Sequence, residues 1–151
     1  MASPRVGIIV GSKSDLAVVE KAQEQLKELG IDSDITVASA HRTPKKVEKY
    51  AREAEGKYVC LIAAAGMAAA LPGCVAAQTT LPVIGIPIKS KALEGMDALL
   101  AIVQMPPGVP VATVAIDGAK NAAILAAQIA ALKYSEVTAK LKGLKAKLAA
   151  Q

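Results

Sequence analysis

A chain of 151 residues, 53% hydrophobic and only 2% aromatic, has the size and apolar content of one domain whose core is built from Ala, Val, Ile and Leu. Its formal charge of +5 is a property of the tail: five lysines and one glutamate lie between Lys133 and Gln151, leaving +1 for everything before, and no nucleic-acid motif accompanies them. Nucleic acid is therefore excluded as the expected partner.

The opening apolar run is too short and too glycine-interrupted for a signal peptide or a membrane span, so a cytoplasmic protein without a membrane partner is expected. Residues 5–10 (RVGIIV) read as the first strand. Residues 11–30 follow as a helical unit in which Leu16, Val19, Ala22, Leu26 and Leu29 recur three or four apart before Gly30 stops it. Residues 34–39 (DITVAS) give the second strand. The second helix spans 43–54, with Thr43 as N-cap, Pro44 at the first helical position, and Val47, Tyr50 and Ala54 facing inward. The third strand is 58–64 (YVCLIAA), followed by a glycine turn and an Ala-rich helix over 68–78. Cys60 and Cys74 fall in these apolar runs without metal-ligand spacing, and read as reduced core thiols. A fourth strand, 82–88, leads to a helix over 95–105. The fifth, 109–116 (VPVATVAI), leads to a helix over 120–133.

This alternation predicts an α/β fold: a parallel sheet of about five strands with helices on both faces, binding ligands at the carboxyl ends of the strands. Residues 134–151 place Val137, Leu141, Leu144 and Leu148 on a narrow apolar stripe flanked by lysines. The expected organisation is one domain over 1–133 and a C-terminal amphipathic helix over 134–151, lying on its own domain or on a neighbouring subunit.

Three strand-end loops carry the candidate chemistry. In GSKSD, Gly11, Ser12, Ser14 and Asp15 open a helix, where amides and hydroxyls suit an anion and a carboxylate suits sugar hydroxyls. The same residues also read as a plain helix start capped by Ser14 or Asp15. In SAHRTP, residues Ser39, Ala40, His41 and Arg42 combine an imidazole, which exchanges protons near neutral pH, with a guanidinium fork that grips phosphate; a solvated loop histidine is the plainer reading. The third loop, with Gly66, Met67, Ala68, Ala69, Leu71 and Pro72, is small and uncharged, fit either for a dry pocket or for tight packing. PIKSKALEGMD after the fourth strand reads as a cover or a surface loop, and QMPPGVP as a rigid side wall.

GSKSD, SAHRTP, GMAAALPG, LPVIGIPI, VQMPPGVPVATVAI and KNAAILAAQI occur in the order and spacing of the PurE family, which the chain resembles over residues 5 to 133. The resemblance implies a flavodoxin-like three-layer fold, a homo-octamer with shared active sites, and a reaction without metal or organic cofactor. That reaction moves a carboxylate from the exocyclic nitrogen of an aminoimidazole ribonucleotide to ring carbon C4 through released and recaptured CO2. His41 would shuttle the proton; Ser12, Asp15 and Arg42 would hold ribose and phosphate; the 66–73 loop would surround the imidazole and CO2. Ala70 stands where the family commonly has a second histidine, which also leaves open a slow or purely structural assembly subunit. A second branch of the family uses CO2 directly; the arginine of SAHRTP and the LPG after Ala70 resemble the mutase branch instead.

Overall fold

The β-branched runs pair into one parallel sheet, β1 (Arg5–Val10), β2 (Asp32–Val37), β3 (Cys60–Gly66), β4 (Val83–Ile88) and β5 (Ala112–Thr113), in a computed structural model that describes residues 2–151. The helices are α1 (Leu16–Glu28), α2 (Pro44–Glu53), α3 (Leu71–Ala76), α4 (Met96–Val103), α5 (Ala119–Ala131) and α6 (Ser135–Ala149). Strand order is β2-β1-β3-β4-β5, the doubly wound flavodoxin-like arrangement. From β1 the chain winds to one edge through β2, then crosses back to β3 and winds to the other. The carboxyl ends of β1 and β3 thus frame a crevice from which the helical connections diverge.

Burial on both faces explains why the central strands read as continuous apolar runs. Alternate residues of β3 serve different cores. Cys60, Ile62 and Ala64 join Val19 and Leu26 of α1 and Ala122 and Ala126 of α5. Leu61, Ala63 and Ala65 join Val47 and Ala51 of α2, Val75 of α3 and Ile102 of α4. Fully buried side chains such as Ile8, Ile62 and Ile84 each contribute about 1.5–3 kcal/mol of transfer free energy. Gly85 lets α4 lie close on β4, because a Cβ there would collide with Ile102 Cγ2. On α6, Val137 is buried in the α1/α5 core, Leu141 and Leu144 pack against it, and Leu148 is exposed.

Several boundaries depart from the sequence reading for local reasons. A 3-10 turn, Lys13–Asp15, precedes α1, so the unit expected over 11–30 is divided. The strand expected over 109–116 shrinks to two residues paired with Ile84 and Gly85. Pro107 and Pro110 carry no N–H for a ladder, and past Thr113 regular pairing ends, with only the Val114 and Asp117 amides still donating to the Gly85 and Pro87 carbonyls of β4 at 3.2 and 2.8 Å. The helix expected over 68–78 forms only over Leu71–Ala76, with Pro72 in its first turn. Ala51, not noted from sequence, is a fully buried contact of α2, whereas Tyr50 is only partly buried. Cys60 is a core thiol, its pKa pushed up to about 12 by burial, but Cys74 is exposed: it sits on the outward side of the short α3.

Candidate active site

A cavity of about 680 Å³ opens at the switch point of the sheet, within the size range of small-ligand sites. Four strand ends line it. The end of β1 contributes Gly11, Ser12, Ser14 and Asp15, and the end of β2 contributes Ser39, Ala40, His41 and Arg42. From β3 come Ala65 to Leu71, and from β4 come Ile88 to Lys91. Of the residues singled out from sequence, only Pro72 lies outside: it is buried in the first turn of α3, its ring facing Gly85 of β4.

Local hydrogen bonds shape each loop. Ser12, in extended conformation, caps the 3-10 turn by accepting from the Ser14 amide at 3.3 Å, and the two serine hydroxyls share a 2.9 Å hydrogen bond. The side chain that makes the capping bond is therefore Ser12, at the 3-10 turn, while Asp15 holds the N-cap position of α1 without one. Asp15 makes no capping bond, so its carboxylate remains for the cavity. In the second loop, the Thr43 hydroxyl accepts from the Ser39 amide at 2.9 Å and donates to the Ser39 carbonyl at 3.1 Å, closing the loop instead of capping α2. The Ser39 hydroxyl accepts from the Arg42 amide at 3.1 Å. Arg42 Nη2 then donates to the Gly11 carbonyl at 3.1 Å, tying the β2 loop to the β1 loop. His41 is exposed at the apex of this closed loop.

The third wall is apolar: Gly66, Met67, Ala68, Ala69, Ala70 and Leu71 offer no side-chain donor, and only the weakly accepting Met67 thioether as acceptor. Met67 takes a positive φ of 55° with its side chain 66% exposed. The other non-glycine residues with positive φ, Glu94 and Asp117, follow β4 and β5. All three strained positions thus sit beyond strand carboxyl ends, where such strain accompanies functional loops.

Two carboxylates organise the rim. Burial raises the Asp15 pKa above the ordinary carboxylate value, the Asp117 charge raises it further, and a Ser14 hydrogen bond partly opposes both. Asp117 Oδ1 accepts from the Lys89 amide at 3.0 Å, anchoring the loop after β4. Because folding disfavours ionised Asp15, its contribution to stability falls as pH rises from the ordinary carboxylate range to the raised native value, and is level above it. Asp15→Asn is accordingly expected to raise Tm at pH 7 and to leave it nearly unchanged at pH 3, read by thermal melts; a lower Tm at pH 7 contradicts the assignment. Among the described residues no group of three or more His, Cys, Asp or Glu side chains could hold a metal ion. No described helix is long and apolar enough to cross a membrane.

Sequence reasoning did not single out Lys89, Ser90, Lys91 or Asp117. The signal for the first three was the polar PIKSKALEGMD stretch directly after a strand. Asp117 left only the weak mark of an Asp-Gly pair.

The sequence model of the family described as AIR carboxylase matches residues 5–151. The chain belongs to the AIR carboxylase family. Among members of this family, it is 59% identical over 140 residues to the N5-carboxyaminoimidazole ribonucleotide mutase of Pyrococcus abyssi, covering 92% of this chain and 80% of that one. The mutase of the same name from Thermotoga maritima is 57% identical over 146 residues, covering 96% and 85%. The phosphoribosylaminoimidazole carboxylase of Saccharomyces cerevisiae is 50% identical over 143 residues, which are 94% of this chain but 25% of that protein. The fold superposes on PurE of Treponema denticola with a TM-score of 0.89 at 34% identity, covering 97% of this chain and 92% of that one. The AIR carboxylase family thus accounts for both the five-stranded parallel fold and the order of the loops.

Proposed function

We propose that this chain is a mutase of purine biosynthesis that converts N5-carboxyaminoimidazole ribonucleotide to 4-carboxy-5-aminoimidazole ribonucleotide. One observation carries the reading: a single cavity at the switch point holds His41 and Arg42 beside the serines of the β1 loop, facing the uncharged β3 loop. Arg42 and the hydroxyls of Ser12 and Ser14 take the phosphate, and Asp15 accepts from the ribose hydroxyls. Gly11, Ser39 and Ala40 supply backbone close to the ligand, and Gly66 to Ala69 with Leu71 enclose the imidazole.

In the first step the carbamate C–N bond breaks, its electron pair returns to the exocyclic nitrogen, and protonated His41 delivers the proton that nitrogen takes up. CO2 is released against the β3 loop, where small apolar side chains keep water out. The electron-rich C4 then attacks CO2, and neutral His41 removes the C4 proton, restoring the ring and its own starting state. Proton count and charge balance without a further reagent. Ala70 brings no second imidazole, so His41, the one histidine of the chain, performs both transfers.

A homo-octameric, cytoplasmic assembly is part of this reading. The assembly is supported by Met96, Leu100 and Val103, spaced four and three apart on α4 and exposed, an apolar stripe that suits contact with further copies. Light scattering at eight chain masses supports it; a monomer contradicts it. Residues 1–133 carry the whole site, and 134–151 serve as a supporting helix. The alternative branch, direct carboxylation by CO2, is separated by one assay. Product forms from the N5-carboxylated ribonucleotide without added bicarbonate if the chain is a mutase, and only from aminoimidazole ribonucleotide with bicarbonate if it is not.

A further inference from the structure

The cavity is lined by three basic side chains, and their surroundings differ. Arg42 stands on the β2/β1 side, bonded through Nη2 to the Gly11 carbonyl. Lys89 Nζ is 2.9 Å from Glu94 Oε2, an exposed ion pair that holds this ammonium toward its own loop. Lys91 lines the same cavity and is exposed. The ion pairs among the described residues are Arg5–Asp34, Arg52–Glu48 and Lys89–Glu94, which leaves Lys91 without a carboxylate.

The loop that presents Lys91 is held in shape. Asp117 Oδ1 anchors its start at the Lys89 amide, the Glu94 amide donates to the Ser90 carbonyl at 3.1 Å, and the Lys89–Glu94 pair closes the turn. Glu94 takes a positive φ of 57° to make that closure. Inside it, the Ser90 hydroxyl is buried without a hydrogen-bond partner. The neighbouring β3 wall has no polar side chain at all. Within one chain, a polar side-chain contact to an anion on the β3/β4 half of the cavity therefore comes from Lys89, Ser90 or Lys91, and Lys91 is the cation with no carboxylate partner.

Resting on the mutase reading, the ligand has two anionic groups, a phosphate and a carboxylate, separated by the ribose and the ring. Arg42 and the β1 serines account for the first. We propose that Lys91 is the cationic contact for the carboxylate, and so the residue by which the site tells a carboxylated aminoimidazole ribonucleotide from its decarboxylated counterpart. An ammonium on a flexible stem is well matched to that role. The carboxylate changes position between exocyclic nitrogen and C4, and a lysine follows it where a fixed guanidinium fork would not.

Calorimetric titration of the full chain with 4-carboxy-5-aminoimidazole ribonucleotide and with aminoimidazole ribonucleotide tests this. Both ligands carry the phosphate, so their ratio isolates the carboxylate. Lys91→Ala should weaken the carboxylated ligand about 10- to 100-fold, the range for losing one charge-assisted hydrogen bond, and change the decarboxylated ligand by less than about twofold. Lys91→Arg, which keeps the charge but not the flexible ammonium, should recover part of the loss. Equal weakening of both ligands, which a general field effect would give, overturns the proposal, as does no change in either. A wild-type chain that binds neither ribonucleotide overturns the mutase reading itself, and this proposal with it. Lys91 is exposed and touches no core, so a loss of fold does not confuse the result; a melt of each variant verifies it.

Discussion

His41→Asn should abolish conversion of the N5-carboxylated ribonucleotide, lowering turnover by at least about 10³-fold, while leaving Tm within the scatter of the wild type. The chemical loss follows from the two proton transfers, each contributing roughly 10² to 10⁴ when a positioned group performs it. Asparagine has similar size and hydrogen-bonding capacity but no titratable proton near neutral pH. The structural neutrality follows from the loop's construction: the Ser39–Thr43 hydrogen bonds and the Arg42 amide to Ser39 hydroxyl bond close it without the imidazole. His41 itself is exposed, and exposed substitutions of this kind change stability by only about 0.5 kcal/mol. Turnover within tenfold of wild type would remove His41 from the proton-transfer role.

Arg42→Ala should raise KM about 100-fold and reduce kcat less. A guanidinium gripping a phosphate through two parallel hydrogen bonds contributes binding shared by ground and transition states, so its removal registers mainly in KM. Arg42→Lys should recover only part, because the ammonium keeps the charge and loses the fork. The loss includes a structural share: the bond from Arg42 Nη2 to the Gly11 carbonyl aligns the β1 and β2 loops, so the alanine variant also loosens the phosphate-facing serines. Steady-state kinetics on both variants separates these outcomes, and an unchanged KM in Arg42→Ala would place the phosphate elsewhere.

Much of the fold was legible because the central strands are buried on both faces and read as unbroken apolar runs, while α1 and α5 keep regular apolar spacing. The pairing order was not legible from those runs. It depends on which strands lie adjacent, and the register Val6 with Cys60 or Gly66 with Ile88 leaves no local mark in the chain. The same limit divides the site. GSKSD and SAHRTP could be placed at strand ends because each follows its strand directly, whereas Lys91 gains meaning only once β4 lies beside β3 and brings its loop against a wall without donors. Asp117 is the clearest case, since it anchors Lys89 across 28 residues of sequence. Local capping was only half legible: Asp15 is the N-cap position of α1, but the intervening 3-10 turn puts the side-chain capping bond at Ser12. Cys74 was read as a core thiol from its apolar neighbours, but α3 is only six residues long and turns that side chain outward.

The most direct test of carboxylate migration within a dry pocket follows the carboxylate carbon itself. The N5-carboxylated ribonucleotide, labelled with carbon-13 in its carboxylate, is converted by the purified chain in unlabelled bicarbonate, and the product is weighed by mass spectrometry. If CO2 released beside His41 is recaptured before it escapes the β3 loop, most of the product carries the label. Product carrying only unlabelled carboxylate would mean that the CO2 comes from solution, and would contradict the mutase mechanism.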